Sequence, residues 1–309
     1  MQFLEWIILL LFLLFYLILP AKQLNNGCDC CQDTVNMESQ LINGNPVFFV
    51  KEIEISPIYS GSSFNWSIAG NNNTPNILSE LSWRNIQSYG IRFNMGLQLD
   101  DDIKPYLSFA VENTYSGEGT DVDYIEDDRQ GTVYNKAFDS SKGHYMKLSL
   151  SHPIANSGNL LIGLSSTIQK LNLFHEGIEK KSSYSVMWIG LEGKLLNTVY
   201  NRDRLAVSFD NSVRLSRYLA KANWVLREDL KQPVSFKHYT FIGEFESAFK
   251  VVFKLYRDIF TGFGGHLTVL RSLRGDDVLF FANGDVATTQ LNRVNGLRGT
   301  CFFLINIKL

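Results

Sequence analysis

The chain lacks an excess of charge of either sign: 29 Lys and Arg stand against 31 Asp and Glu, a formal net of −2. A polyphosphate partner asks for a strongly basic face, so no nucleic-acid partner is expected. Cysteine is scarce, with four in 309 residues. No His and no second CxxC accompany the cluster formed by three of them, so neither a structural zinc nor any other metal or cofactor is expected. No segment carries a helical period, and after the first twenty residues no apolar run is long enough to cross a membrane as a helix. If the rest of the chain enters a membrane, it must do so as a closed barrel, the other spanning form that leaves no backbone group unpaired.

What is present begins with one apolar run, Trp6 to Pro20, WIILLLFLLFYLILP. It has the length of a secretory hydrophobic region and falls short of the roughly 20 residues of a spanning helix. Residues 1–21 are therefore expected to be a signal peptide, the alternative being an uncleaved anchor. Residues 22–47 follow as a Cys-containing periplasmic N-terminal segment, and 48–309 as the barrel. The cluster GCDCC places Cys28, Cys30 and Cys31 just after the signal, with Cys301 alone near the C-terminus. An exported chain meets an oxidising compartment, so these three are disulfide candidates, with interchain partners in the envelope among the expected ones.

The stretch Thr240 to Tyr256 sets Phe241, Phe245, Phe249, Val251, Phe253 and Leu255 on one parity and Glu244, Glu246, Lys250 and Lys254 on the other. A strand points successive side chains to opposite faces, so this segment has one apolar and one charged face. About ten such strands succeed one another from Phe48, and the connections after odd-numbered strands are long while those after even-numbered strands are short. That alternation predicts an all-β, transmembrane, up-and-down antiparallel β-barrel of about ten strands, with periplasmic termini, long extracellular loops and a place in the bacterial outer membrane. Mean hydropathy of −0.05 and 13 % aromatics agree, because a barrel averages a lipid face with a polar lumen and carries aromatic girdles.

Outer-membrane lipid is then the partner of the apolar parity. The other parity collects the pore-lining candidates Arg84, Arg92, Glu112, Lys147, Glu192, Lys194, Asp210, Arg214, Glu244, Glu246, Lys250 and Lys254. Charges of both signs in one tube either pair and fill it or line water and select small solutes or ions. About eight strands enclose little beyond side chains and about sixteen leave a channel, so ten strands leave both readings open.

The acidic stretch GEGTDVDYIEDDR holds Asp121 and Asp123. It departs from a calcium loop, because Ile125 stands where an acid or amide is needed. Asp121-Val-Asp123-Tyr124, after VENTYSGEG, resembles the first acidic pair of the omptins, ten-stranded outer-membrane proteases. That likeness implies an Asp-x-His pair later in the chain, where Ala222, Asn223 and Trp224 stand instead; Asp229 and His238 are too far apart to replace it. No enzyme activity is expected as the main function, and no catalytic residue is assigned. A second resemblance covers nearly the whole mature chain. SELSWRN (79–85), DVDYIEDDR (121–129), ANWVLREDLKQPVSFKH (222–238) and LNRVNGL (291–297) resemble blocks of the omptin-like family typified by the Protochlamydia outer membrane proteins. That resemblance implies a porin for small solutes or ions in a disulfide-linked envelope, with Cys28, Cys30 and Cys31 as cross-linking residues; the alternatives are an omptin-like surface protease and a plugged barrel with a structural or adhesive role, its long loops being the working surface. The C-terminal Leu309 departs from the aromatic residue that usually ends such barrels.

Overall fold

The computed structural model describes residues 49–99, 103–154, 159–174, 181–202 and 204–309. The signal segment and Cys28, Cys30 and Cys31 lie outside the described residues. The elements are β1 (Phe49–Ile68), β2 (Ser79–Gln98), β3 (Tyr106–Tyr124), β4 (Thr132–Asp139), β5 (Gly143–Pro153), β6 (Leu160–Leu173), β7 (Ser182–Arg202), β8 (Leu205–Asn223), β9 (Phe236–Tyr256), β10 (Ile259–Ser272), β11 (Gly275–Phe280) and β12 (Val286–Lys308). Neighbours pair antiparallel in the order β1-β2-β3-β5-β6-β7-β8-β9-β10-β12, and β12 closes on β1 from Glu52↔Lys308 to Ile68↔Leu291.

The ring has ten staves. Two are broken: β4 continues β5 along the upper part of β3, and β11 continues β10 between β9 and β12. Much of the chain between the predicted strands is itself strand. Residues 272–298, for instance, hold β11 and the first half of β12. These extensions carry the β-ladder beyond the roughly 9–11 residues that a crossing requires.

Alternation decides which face each residue takes. On β9, Phe241, Phe245, Phe249 and Phe253 are exposed on the outer wall, whereas Ile242 and Glu244 are buried inside. The outer face of the other staves is likewise apolar, with Leu191, Val213, Leu215, Leu267, Phe303 and Ile305 exposed. In a membrane protein such exposure faces lipid, and each charge placed there costs about 2–4 kcal/mol near the midplane.

Two bulges reset the alternation. Between Arg84 and Gln87 the register of β2 against β3 slips, with Asn85 at φ 51, a left-handed conformation that Asn tolerates. Below the slip Ile86 and Ser88 face inward; above it Leu81 and Trp83 do. A second slip between Gln87 and Ser88 leaves Tyr115 of β3 without a partner on β2. It turns Gly117, Gly119 and Asp121 to the buried inner face.

Candidate functional site

The interior has two storeys. The outer one is apolar. Phe64 and Trp66 from β1, Trp83 from β2, Tyr184 from β7 and Phe236 from β9 join Leu81, Leu171, Leu173, Ile242 and Leu291 in one buried cluster. β1 and β7 stand on opposite sides of the ten-stave ring, yet the Tyr184 ring lies 6.0 Å from Phe64 and 6.1 Å from Trp66, and Trp83 lies 5.5 Å from Tyr184. Trp83 and Tyr184 are both 0 % exposed. Aromatic contacts of this kind contribute about 0.5–1.5 kcal/mol each beyond the area they bury, so the lumen here is a packed core.

One chain of polar groups is buried in this storey, whereas the indole N–H groups of Trp66 and Trp83 have no hydrogen-bond partner among the described residues. The Tyr184 hydroxyl lies 2.7 Å from the Tyr218 hydroxyl and 2.9 Å from His238 Nδ1. His238 Nε2 approaches Asp277 Oδ1 to 3.2 Å, and Thr289 Oγ1 donates to Asp277 Oδ2 at 3.0 Å. The contact joins residues in register on β9 and β11, and it is sealed from solvent.

The inner storey is charged. Arg214 donates to Glu192 at 2.9 Å and to Glu244, whose other oxygen accepts from Trp188 Nε1 at 3.1 Å. Lys147 reaches across the ring to Glu246 at 3.1 Å, and Lys250 meets Glu54 at 3.0 Å. Glu112 accepts from Ser60 at 2.5 Å and from Arg298. Arg92 lies over the Phe302 ring at 4.4 Å beside His266, at 3.4 Å from its Nε2. A cavity of about 370 Å³ remains among them, bordered by Arg92, Lys147, Lys194, Asp210, Glu246 and Lys250, and reaching down to Glu52 and Tyr106 near the periplasmic end. Among the described residues, Lys194 and Asp210 have no ion-pair partner.

The structure thus brings Arg92, Glu112, Lys147, Glu192, Lys194, Asp210, Arg214, Glu244, Glu246 and Lys250 to one interior. Two lumen candidates need correction. Arg84 is exposed on the outer wall, because the bulge at Asn85 reverses the parity that holds farther down β2. Lys254 keeps the inward parity but lies past the cavity, exposed at the end of β9 with its ammonium 5.9 Å from the Phe260 ring.

Sequence reasoning missed Glu54, Arg298 and the aromatic layer. Glu54 alternates correctly within KEIEIS and was legible. Phe64 and Trp66 fall in the span 61–79 and Arg298 in the span 272–298, which read from sequence as long connections and carry no strand parity.

At the mouth, Asp121 and Asp123 of β3 face inward beside Arg227, which forms a two-pronged pair with Asp229 at 2.7 and 2.6 Å. Burial, and then the Asp123 carboxylate, push the Asp121 carboxyl up to about 7.

The model of the family described as Protochlamydia outer membrane protein matches residues 58–153. No curated protein matches the chain. Among solved structures, the outer membrane protease OmpT of Escherichia coli aligns with a TM-score of 0.57 at 11 % identity, over 84 % of this chain and 97 % of that one. The β domain of the Bordetella autotransporter BrkA gives 0.38 at 9 % identity over 84 % and 100 %, and the Pseudomonas putida toluene transporter TodX gives 0.27 at 10 % over 84 % and 90 %. At these identities only the fold is shared, and only the first superposition is close enough to support that. The chain is a β-barrel of the bacterial outer membrane, similar over residues 58–153 to the Protochlamydia outer membrane proteins.

Proposed function

We propose that this barrel keeps its lumen shut and works at the cell surface and in the envelope, as a structural or adhesive outer-membrane protein. The observation that carries this reading is the contact between Tyr184 and the rings of Phe64 and Trp66 from the opposite side of the ring. Solute passage would require moving side chains that are packed as tightly as a soluble core. The ion pairs beneath add a second closure, since Lys147–Glu246 crosses the same lumen.

A second reading, a porin-like channel for small solutes or ions, draws on the charged cavity and on Lys194 and Asp210, which line it unpaired. It is also what resemblance to the Protochlamydia proteins implies. On this reading the aromatic layer is a gate. Peptide hydrolysis has less behind it: Asp121 and Asp123 face Arg227 and Asp229, and the His238–Asp277 contact is sealed below the mouth.

Single-channel recording of the refolded mature protein in a planar bilayer decides between the first two. The closed reading expects no current steps from the native barrel and discrete steps once Trp83→Ala and Tyr184→Ala thin the layer. Reproducible steps from the native protein would overturn it in favour of the porin.

A further inference from the structure

On the outer wall, β12 presents Ile307, Ile305, Phe303, Cys301, Gly299 and Leu297 in succession. Ten residues at about 3.4 Å each, tilted by about 45°, rise about 24 Å, the height of a barrel's apolar band. Leu297 is therefore the last apolar residue of the band on this stave. The next outward positions are Asn295 and Arg293, a few residues higher, where lipid headgroups begin. Arg271 of β10 lies opposite Asn295 and just above Val269, and Arg274 follows in the link to β11.

Arg271, Arg274 and Arg293 line one surface cleft of about 530 Å³ with Asn73, Asn292 and Ser67. No acidic residue lines it. Arg129, at its edge, is already held by Glu80 at 2.7 Å. The other three arginines have no ion-pair partner among the described residues. Three guanidiniums around one cleft repel one another unless an anion joins them, and their fork geometry matches phosphate oxygens.

We propose that this cleft is a binding site for the phosphate of a phosphorylated glycolipid in the outer leaflet, with Arg271, Arg274 and Arg293 on the phosphate and Asn73, Asn292 and Ser67 beside the sugar. The acyl chains would lie down the apolar wall formed by Val269, Leu267 and Leu297. The site stands whether or not the lumen conducts.

The test is titration of the purified barrel in uncharged detergent with bisphosphorylated lipid A, with its dephosphorylated form, and with inorganic phosphate. Lipid A is expected to bind, and Arg271→Gln/Arg274→Gln/Arg293→Gln to weaken it at least about tenfold. A charge-matched control on other outward positions, Arg84→Gln/Arg217→Gln/Lys221→Gln, should bind like the native protein. Should the triple site variant fail to fold, Arg293→Gln alone is expected to weaken binding about fivefold. Undiminished binding by the site variants, or equal loss in the control, would overturn the site. Equal binding of dephosphorylated lipid would remove the role of phosphate, and binding of inorganic phosphate as tight as that of lipid A would make it a site for soluble anions.

Discussion

Asp121 shows what one buried carboxyl does to a barrel mouth. Its ordinary value of 3.8 rises to about 7, first because burial disfavours the charged form and then because Asp123 is adjacent. The folded state holds its proton more tightly than the unfolded chain, so this contribution to stability is complete below about pH 4 and disappears as the pH rises through 7. At about 1.4 kcal/mol per pKa unit, ionisation costs the fold on the order of 4 kcal/mol. Asp121→Asn is accordingly expected to raise the melting midpoint at pH 8 and leave it nearly unchanged at pH 4, measured by the loss of the compact form on heating. An equal effect at both pH values would show that the carboxyl does not carry this cost. Arg214 is a different case. Enclosed by Glu192 and Glu244, it is stable as a set, and the energy lies in not leaving a buried charge alone rather than in the pairs themselves.

At the scale of one element, β9 carries the argument for lipid exposure. Phe249 is 37 % exposed on the outer wall and packs with Phe209 of β8 at 5.3 Å between ring centres. Phe249→Arg would put a guanidinium into the hydrocarbon at a cost of about 2–4 kcal/mol, while Lys254→Ala at the strand end removes only an exposed ammonium. Folding yields in lipid vesicles should fall for the first and hold for the second; equal yields would reject the face assignment. On β9 the alternation in the sequence and the faces of the strand agree, because the strand runs from Phe241 to Phe253 with no bulge against β8. β2 and β3 show the opposite: the same alternation placed Arg84 in the lumen, and only the irregular register at Asn85 and Tyr115 reverses it. A bulge adds one residue to one strand, so its signature lies in the pairing, which a single strand does not display.

For the whole molecule, closure of β12 on β1 is the condition of existence. Their ladder runs from Glu52 to Ile68 of β1 and from Lys308 to Leu291 of β12, and outside it lies lipid, which can satisfy no free N–H or C=O. A chain ending at Gly299 loses the pairs of Thr300 to Lys308 with β1 and of Thr300 to Ile307 with β10. It is expected to give no heat-modifiable compact band in cold-versus-boiled electrophoresis, whereas removal of Leu309 alone should preserve that band. A compact band from the long truncation would mean that β10 closes on β1 in a smaller barrel.

The sequence alone determined the two-faced strands, their approximate number, and through them the membrane and the closed ring. Those properties follow from local alternation and from the lack of any other way to satisfy a backbone in lipid. It also named most of the charges that meet inside. What fills the outer part of the lumen was decided only by the tertiary structure. Phe64, Trp66, Trp83 and Tyr184 are far apart in the chain and become one aromatic layer only because staves on opposite sides of a ten-stave ring stand close enough for their rings to touch. Likewise, Asp121 faces the mouth because a bulge at Tyr115 turned the upper part of β3, and three arginines from separate segments became one cleft because closure of the barrel set them side by side.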